Sequence, residues 1–256
     1  MTENIVTVTK EEVEEFVKTT QFRGYQNITL PYGIIVPGDN LEKESDYLLP
    51  ETLTGQSVLD IGCDYGFFCH EAKKKGAATV VGLEMNQETA KVSKEIAEII
   101  GDGVEIVHGN VTDLANNNLE IRDNFDTILL LNVVHHLTDP IDIISKVAQL
   151  CNKMMIIEFP IPSDNKFLMR KRGYKKEEFY KNPLNKVKFK LEKGFIKLLQ
   201  KRFPIIGIGG VEYHNTFYFS EKSFDNLFRL HHKSFTKIEF KKSSRKLDRV
   251  IAYCEK

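Results

Sequence analysis

The chain has 256 residues, 41% hydrophobic and 28% charged, and its 36 Lys and Arg balance 36 Asp and Glu. This composition excludes a disordered or fibrous protein and is long enough to bury a full core, either as one large domain or as a domain with an appendage. No run approaches the roughly 18 apolar residues of a membrane span, and the acidic, polar start MTENIVTVTKEEVEE is no signal peptide, so a cytoplasmic protein is expected. Four cysteines without a C-x-x-C pair or a His/Cys cluster point to reduced thiols and to no metal site. The charge is unevenly spread: residues 1–51 are acidic, whereas residues 166–202 hold fourteen Lys and Arg against three acids.

In chain order, TKEEVEEFVKTT reads as a capped helix, followed by QFRGYQNITLPYGIIVPGDN, a loop rich in turn residues. From Ser57 onward, apolar runs alternate with amphipathic ones, the pattern of β-α-β units on a parallel sheet. SVLDIG is the first strand, and GFFCHEAKKKG a helix stopped by Gly76. ATVVGLE is the second strand, and NQETAKVSKEIAEII a helix with Ala90, Val92, Ile96, Ile99 and Ile100 as its apolar stripe. VEIVHG is the third, and FDTILLLN a fourth whose unbroken apolar run suits burial on both faces. A helix opening at Pro140 precedes a fifth strand, KMMIIEFP. After Pro160 the rhythm breaks into an insertion spanning about 162–210. There NKVKFKLEKGFIKLLQKR alternates like a strand in its first half and reads as a short helix in its second. A capped helix, SEKSFDNLFRLHH, then leads to FTKIEFKK and DRVIAYCEK, two closing strands expected to be antiparallel. Residues 1–50 form an N-terminal helix and cover loop, and residues 51–256 the main domain with its insertion.

Ligands of an open parallel sheet sit beyond the carboxyl ends of its strands, which singles out the turn Gly62-Cys63-Asp64-Tyr65-Gly66. A dinucleotide site would place G-x-G-x-x-G here, with glycine-lined backbone against a pyrophosphate. This turn has two glycines, and Asp60 and Asp64 face the same pocket. Carboxylates repel a diphosphate and favour a cation, which disfavours NAD and FAD and suits S-adenosylmethionine, with its ammonium and sulfonium charges. Glu84, ending the second strand 22 residues after Gly62, is placed to accept both ribose hydroxyls. Met85 suits an adenine face, and Asn110 with Val111 an adenine edge.

Asp60, Gly62 and Gly66, with Asp64 in place of a middle glycine, resemble the D/E-x-G-x-G-x-G loop of the class I S-adenosylmethionine-dependent methyltransferases. FDTILLLNVVHHLTDPIDII and the closing helix and strands are similar to the same family, so the resemblance runs from about Leu53 to Cys254. It implies a Rossmann-like α/β fold with a seven-stranded, mostly parallel sheet and an antiparallel closing strand. It also implies S-adenosyl-L-methionine as cofactor, held by Asp60, Gly62, Cys63, Gly66, Glu84, Met85, Asn110, Val111, Leu131 and His135. A narrower resemblance, to tRNA wobble-uridine carboxymethoxy-forming enzymes and related small-molecule O-methyltransferases, is carried by GYQNITLPYGIIVPG and VVHHLTDPI. It implies substrate contacts at Tyr25 and Gln26, joined by Tyr213. Gln26 and His135 depart from that subfamily's histidine and tyrosine.

Methyl transfer to a hydroxyl needs a base, and the candidates are His136, Glu158 and His214. Each also has a structural role open to it: one histidine of the pair can orient loops, and Glu158 can bind loop backbone. The basic insertion has three readings: a solvated lid, a clamp for a phosphate-bearing substrate such as tRNA, or a membrane contact. No sharply amphipathic helix with aromatic anchors stands out for the last, so no membrane partner is expected. The reading is a methyltransferase, monomeric or homo-oligomeric, acting on an oxygen of a small metabolite, sugar or natural-product intermediate. Wobble-uridine modification and a non-catalytic regulatory protein are the alternatives.

Overall fold

The computed structural model describes residues 8–38, 47–163, 183–208, 217–243 and 249–256. Helix α1 (Lys10–Thr19) starts with a capping box: the Glu12 backbone donates to the Thr9 hydroxyl, and the Glu12 carboxylate accepts from the Thr9 backbone. The turn-rich loop after it contains two short antiparallel strands, β1 (Ile28–Thr29) and β2 (Ile35–Val36), joined by a tight turn with Tyr32 at φ 63°.

The β-α-β region follows the predicted order. Strand β3 (Ser57–Ile61) leads through the glycine turn to α2 (Phe67–Lys74), then β4 (Thr79–Glu84), α3 (Gln87–Ile100) and β5 (Val104–His108). The segment after β5, expected as a turn, is a short helix, α4 (Val111–Ala115), capped by Asn110. Strand β6 (Phe125–Leu131), helix α5 (Pro140–Gln149) and strand β7 (Cys151–Pro160) complete the parallel part. Within the insertion, helix α6 (Pro183–Arg202) runs unbroken for 20 residues, which corrects the expectation of a strand followed by a helix. Lysines alternating with apolar residues imitate a strand over Val187–Leu191, but the helical period holds along the whole segment. Strands β8 (Ile206–Ile208) and β9 (Phe217–Phe219) pair antiparallel, and α7 (Glu221–Asp225) continues as a wider π-helical turn over Asn226–His231. Strands β10 (Lys237–Lys242) and β11 (Arg249–Glu255) close the chain.

Seven strands form one sheet in the order β10-β11-β7-β6-β3-β4-β5, with β11 antiparallel to both neighbours. Every residue of β3 is buried, as is most of β6, where Ile128, Leu129 and Leu130 are fully enclosed. A strand covered on both faces has to read as a continuous apolar run, and these two do.

The contacts divide the chain into two compact units, Met1–Leu129 with Leu150–Lys153, and Leu130–Gln149 with Met154–Lys256. In the first, Val13 of α1, Ile28, Leu30, Val36, Tyr65 and Ile96 form one buried cluster, so the N-terminal segment packs on the glycine turn and on α3. The buried face of α3 is Ala90, Ser93, Ile96 and Ala97, while Val92, Ile99 and Ile100 pack partly buried against that cluster. In the second, Phe159 stacks on Phe224 at 4.7 Å, and Phe228 lies 4.6 Å from Phe224. These rings supply a large apolar area with defined geometry.

Candidate active site

The turn between β3 and α2 holds three left-handed residues: Gly62 at φ 75°, Asp64 at 53° and Gly66 at 84°. Aspartate is among the few non-glycine residues that adopt this conformation readily, so Asp64 keeps the backbone path that the missing glycine would take. The turn is pinned from below, where the amides of Gly62 and Cys63 both donate to the Leu83 carbonyl, at 2.8 and 3.2 Å. Glu84 braces its upper side: Oε2 accepts from the Asp64 amide at 3.1 Å and Oε1 from the Asn86 amide at 2.8 Å. Gly66 is favoured by its left-handed φ, and a Cβ there would also crowd Ser93 Oγ at 3.2 Å. His70 is buried on α2, with Nδ1 2.8 Å from Asp102 Oδ2.

Asp64 has a second task. Its Oδ2 accepts from the Tyr25 amide at 3.1 Å, and the neighbouring Tyr65 hydroxyl accepts from the Arg23 amide at 3.1 Å. The acid that departs from the glycine pattern thus ties the N-terminal cover to the turn. Tyr25 is held there by its backbone with its ring exposed, while Gln26 is buried.

Asp60, at the end of β3, is 2% exposed, and its nearest polar partner is the Cys69 thiol at 3.7 Å. Burial pushes its pKa up to about 7, opposed by the Cys69 contact and reinforced by the charges of Glu84 and Asp64. The three acids Asp60, Asp64 and Glu84 thus share one region. Beside them Met85 is exposed, with its sulfur 3.5 Å from Asn110 Nδ2 and its carbonyl 3.1 Å from His108 Nε2. Asn110 Oδ1 caps α4 through the Thr112 amide, and Val111 is buried.

In the second unit, β6 ends at Leu131, and Asn132 follows in a left-handed conformation at φ 61°. Glu158 holds it. The Asn132 amide donates to the Glu158 carbonyl at 3.2 Å, and Asn132 Nδ2 donates to Glu158 Oε2 at 2.5 Å. Ser243 Oγ donates to Glu158 Oε1 at 2.5 Å, and Arg249 donates to Asn132 Oδ1. Glu158 is 1% exposed, and both of its oxygens already accept hydrogen bonds. The next turn carries His135, buried, and His136, exposed, their ring centroids 4.0 Å apart. Tyr213 and His214 lie outside the described residues. Among the described residues no group of three or more His, Cys, Asp or Glu forms a metal site.

A methyltransferase-domain family model matches residues 38–230, three quarters of the chain. The chain belongs to the methyltransferase-domain family. Among curated proteins, this methyltransferase domain is similar to the ubiquinone biosynthesis O-methyltransferases of Actinobacillus pleuropneumoniae and Vibrio vulnificus. It is 31% identical to the first over 99 residues, 38% of this chain and 42% of the relative. The second is 30% identical over 107 residues, 41% and 44%. The matched stretch spans less than half the length of these relatives. Among solved structures, it superposes on the N-terminal domain of EvdMO1, solved with SAH and D-fucose, with a TM-score of 0.64 at 14% identity over 97% of each chain. It also superposes on a putative S-adenosylmethionine-dependent methyltransferase from Listeria monocytogenes, with a TM-score of 0.51 at 15% identity over 83% and 96%. These two likenesses establish the Rossmann-like methyltransferase fold.

Within the first unit of this methyltransferase domain, the fold gathers Asp60, Gly62, Cys63, Gly66, Glu84, Met85 and Asn110 around the ends of three adjacent strands. Four residues escape sequence reasoning. His108 and Tyr65 lie in segments that read as ordinary strand and turn. Asn132 and Ser243 act through contacts distant in sequence, and only the asparagine directly after an apolar strand hints at a left-handed position.

Proposed function

We propose that the protein transfers a methyl group from S-adenosylmethionine to a hydroxyl oxygen of a small-molecule acceptor. The observation that carries this is the acidic turn: Asp60, Asp64 and Glu84 surround the end of β3, and Asp60 is buried with its pKa raised by the other two after burial itself. Such a potential attracts a cation and repels a diphosphate. The residues fit the cofactor, since each Glu84 oxygen accepts one backbone amide and keeps a lone pair for a ribose hydroxyl. Exposed Met85 offers its thioether to an adenine face, with Asn110 beside it.

When bound, S-adenosylmethionine supplies an electrophilic methyl on a positively charged sulfur. The protein's own part is to orient the positive end through Asp60 and Asp64, to hold the sugar at Glu84, and to accept the proton that the hydroxyl loses. Of the three candidate bases, exposed His136 suits proton acceptance and His214 stays a candidate from the sequence, while His135 suits the cofactor side. Glu158 serves better as the support of Asn132 than as a base, because its oxygens are engaged. An oxygen acceptor is supported by the matched relatives, which are named as O-methyltransferases of ubiquinone biosynthesis. The wobble-uridine alternative gains no support from them.

Calorimetry with S-adenosylmethionine and with NADH tests the cofactor, and labelled-methyl transfer to a panel of phenols, catechols and sugars tests the acceptor. Binding of the sulfonium compound but not NADH is expected, with label on oxygen. NADH binding that competes at the turn, or the absence of any labelled product, would overturn the reading.

A further inference from the structure

Behind the glycine turn, two buried polar atoms have no hydrogen-bond partner among the described residues: Nε2 of His70 and Oγ of Ser93. His70 is 2% exposed on α2, and Ser93 is 0% exposed on α3. Both stand on the packed faces of their helices, Ser93 among Ala90, Ile96 and Ala97, where an apolar residue would serve packing alone. A buried hydroxyl or imidazole nitrogen is costly without a hydrogen bond, and folded proteins supply a partner to the great majority of such groups.

The two atoms face one corner. A Cβ built on Gly66 would lie 3.2 Å from Ser93 Oγ and 3.5 Å from His70 Nε2, so their separation cannot exceed the sum of these two distances. They make no hydrogen bond with each other. Two polar groups that do not meet directly, yet border one point, match the span of a single water bonded to both. A metal ion fits poorly, since no group of three or more His, Cys, Asp or Glu among the described residues could hold one.

Asp102 fixes the ring that offers Nε2 to this corner. It lies between Gly101 and Gly103, both left-handed at φ 69° and 75°, where the chain turns from α3 into β5. Its Oδ1 accepts from the Val104 amide at 3.3 Å, and its Oδ2 lies 2.8 Å from His70 Nδ1. An ionised carboxylate only accepts, so Nδ1 carries the hydrogen of the neutral ring and Nε2 keeps a lone pair. A water in the corner donates to that lone pair and accepts from the Ser93 hydroxyl.

We propose that His70 and Ser93 hold one buried water beside Gly66, and that this bridge fixes the glycine turn between α2 and α3. His70 and Ser93 are positioning residues: they act on the cofactor through Gly66, and the site stands whatever the methyl acceptor. Magnetic relaxation dispersion of water oxygen counts long-lived internal waters, and imidazole nitrogen chemical shifts report the ring tautomer. Wild type should hold one more such water than Ser93→Ala or His70→Phe, and its His70 should show a protonated Nδ1 with Nε2 accepting a hydrogen bond. By calorimetry, each variant should bind S-adenosylmethionine about three- to tenfold more weakly, and the double variant no more weakly than either alone, because both changes remove the same bridge. Should His70→Phe fail to fold, the Ser93→Ala water count and the wild-type tautomer still decide. Equal water counts in wild type and Ser93→Ala, or a hydrogen on Nε2 of wild-type His70, would overturn the bridge. Loss of the water at undiminished cofactor affinity, or additive losses in the double variant, would overturn the positioning role.

Discussion

Glu84 performs two jobs at one carboxylate. It braces the turn through the amides of Asp64 and Asn86, and it is the acceptor proposed for the ribose hydroxyls. Glu84→Ala should therefore weaken S-adenosylmethionine binding by about 1–3 kcal/mol, the scale of a lost charged acceptor, as read by calorimetry. Glu84→Gln separates the two jobs. One amide oxygen still braces the turn, so binding should fall less than with alanine, whereas equal losses would mean that charge rather than support dominates. Asp64 is the complementary case, because its φ of 53° suits glycine and its carboxylate serves Tyr25. Asp64→Gly should leave the turn intact and accelerate hydrogen exchange at the Tyr25 amide, whereas Asp64→Val should strain the backbone by on the order of 1–3 kcal/mol. If the Tyr25 amide exchanges equally fast in wild type and in the glycine variant, the tie to the cover is not real.

Among the elements, strands β3, β4, β5 and β6 and helices α2 and α3 could be read from the sequence because local periodicity and burial agree there. A strand covered on both faces reads as VLDI or ILLL, and a helix packed on one side shows its stripe. The acids of the glycine turn were likewise legible, since their positions follow from chain order alone. What stayed hidden depends on distant partners. No local pattern announces that Asp64 reaches back to Tyr25, or that Ser243 reaches Glu158 across 85 residues of chain. Helix α6 was masked by an accident of alternation, its lysines falling every second residue from Lys186 to Lys190. The Asn132 junction at the end of β6 shows what such hidden contacts contribute. Asn132→Leu places a bulky residue at φ 61° and removes a donor from buried Glu158, so a loss of about 2–4 kcal/mol in urea unfolding is expected. Asn132→Gly relieves the backbone but not the lost donor, and should recover about 1–2 kcal/mol of that loss. Equal destabilisation by both variants would show that the left-handed backbone carries no strain to relieve.

On the scale of the whole molecule, Asp60 sets stability against cofactor binding. Its carboxyl ionises near 3.8 in an ordinary setting and near 7 in the fold, so between these values the native state keeps a proton that the unfolded chain has lost. Stability contributed by this group is full at low pH, falls as pH rises through the window, and is gone above about 7. A shift of this size corresponds to about 4 kcal/mol at most. Asp60→Asn removes the titration with little change of shape. The variant should therefore melt higher than wild type at about pH 8, with the difference shrinking towards about pH 3 and below, where the wild-type carboxyl is protonated in both states. Other carboxylates cancel in the comparison. The same substitution should have the opposite effect on ligand. The ionised Asp60 attracts the positive end of S-adenosylmethionine, so wild-type affinity should rise between about pH 6 and pH 8, while that of the asparagine variant stays lower and flatter. Melting curves and calorimetry over this range read both arms. A melting difference independent of pH would mean that Asp60 does not bury a proton, and parallel affinity profiles would mean that its charge does not meet the cofactor.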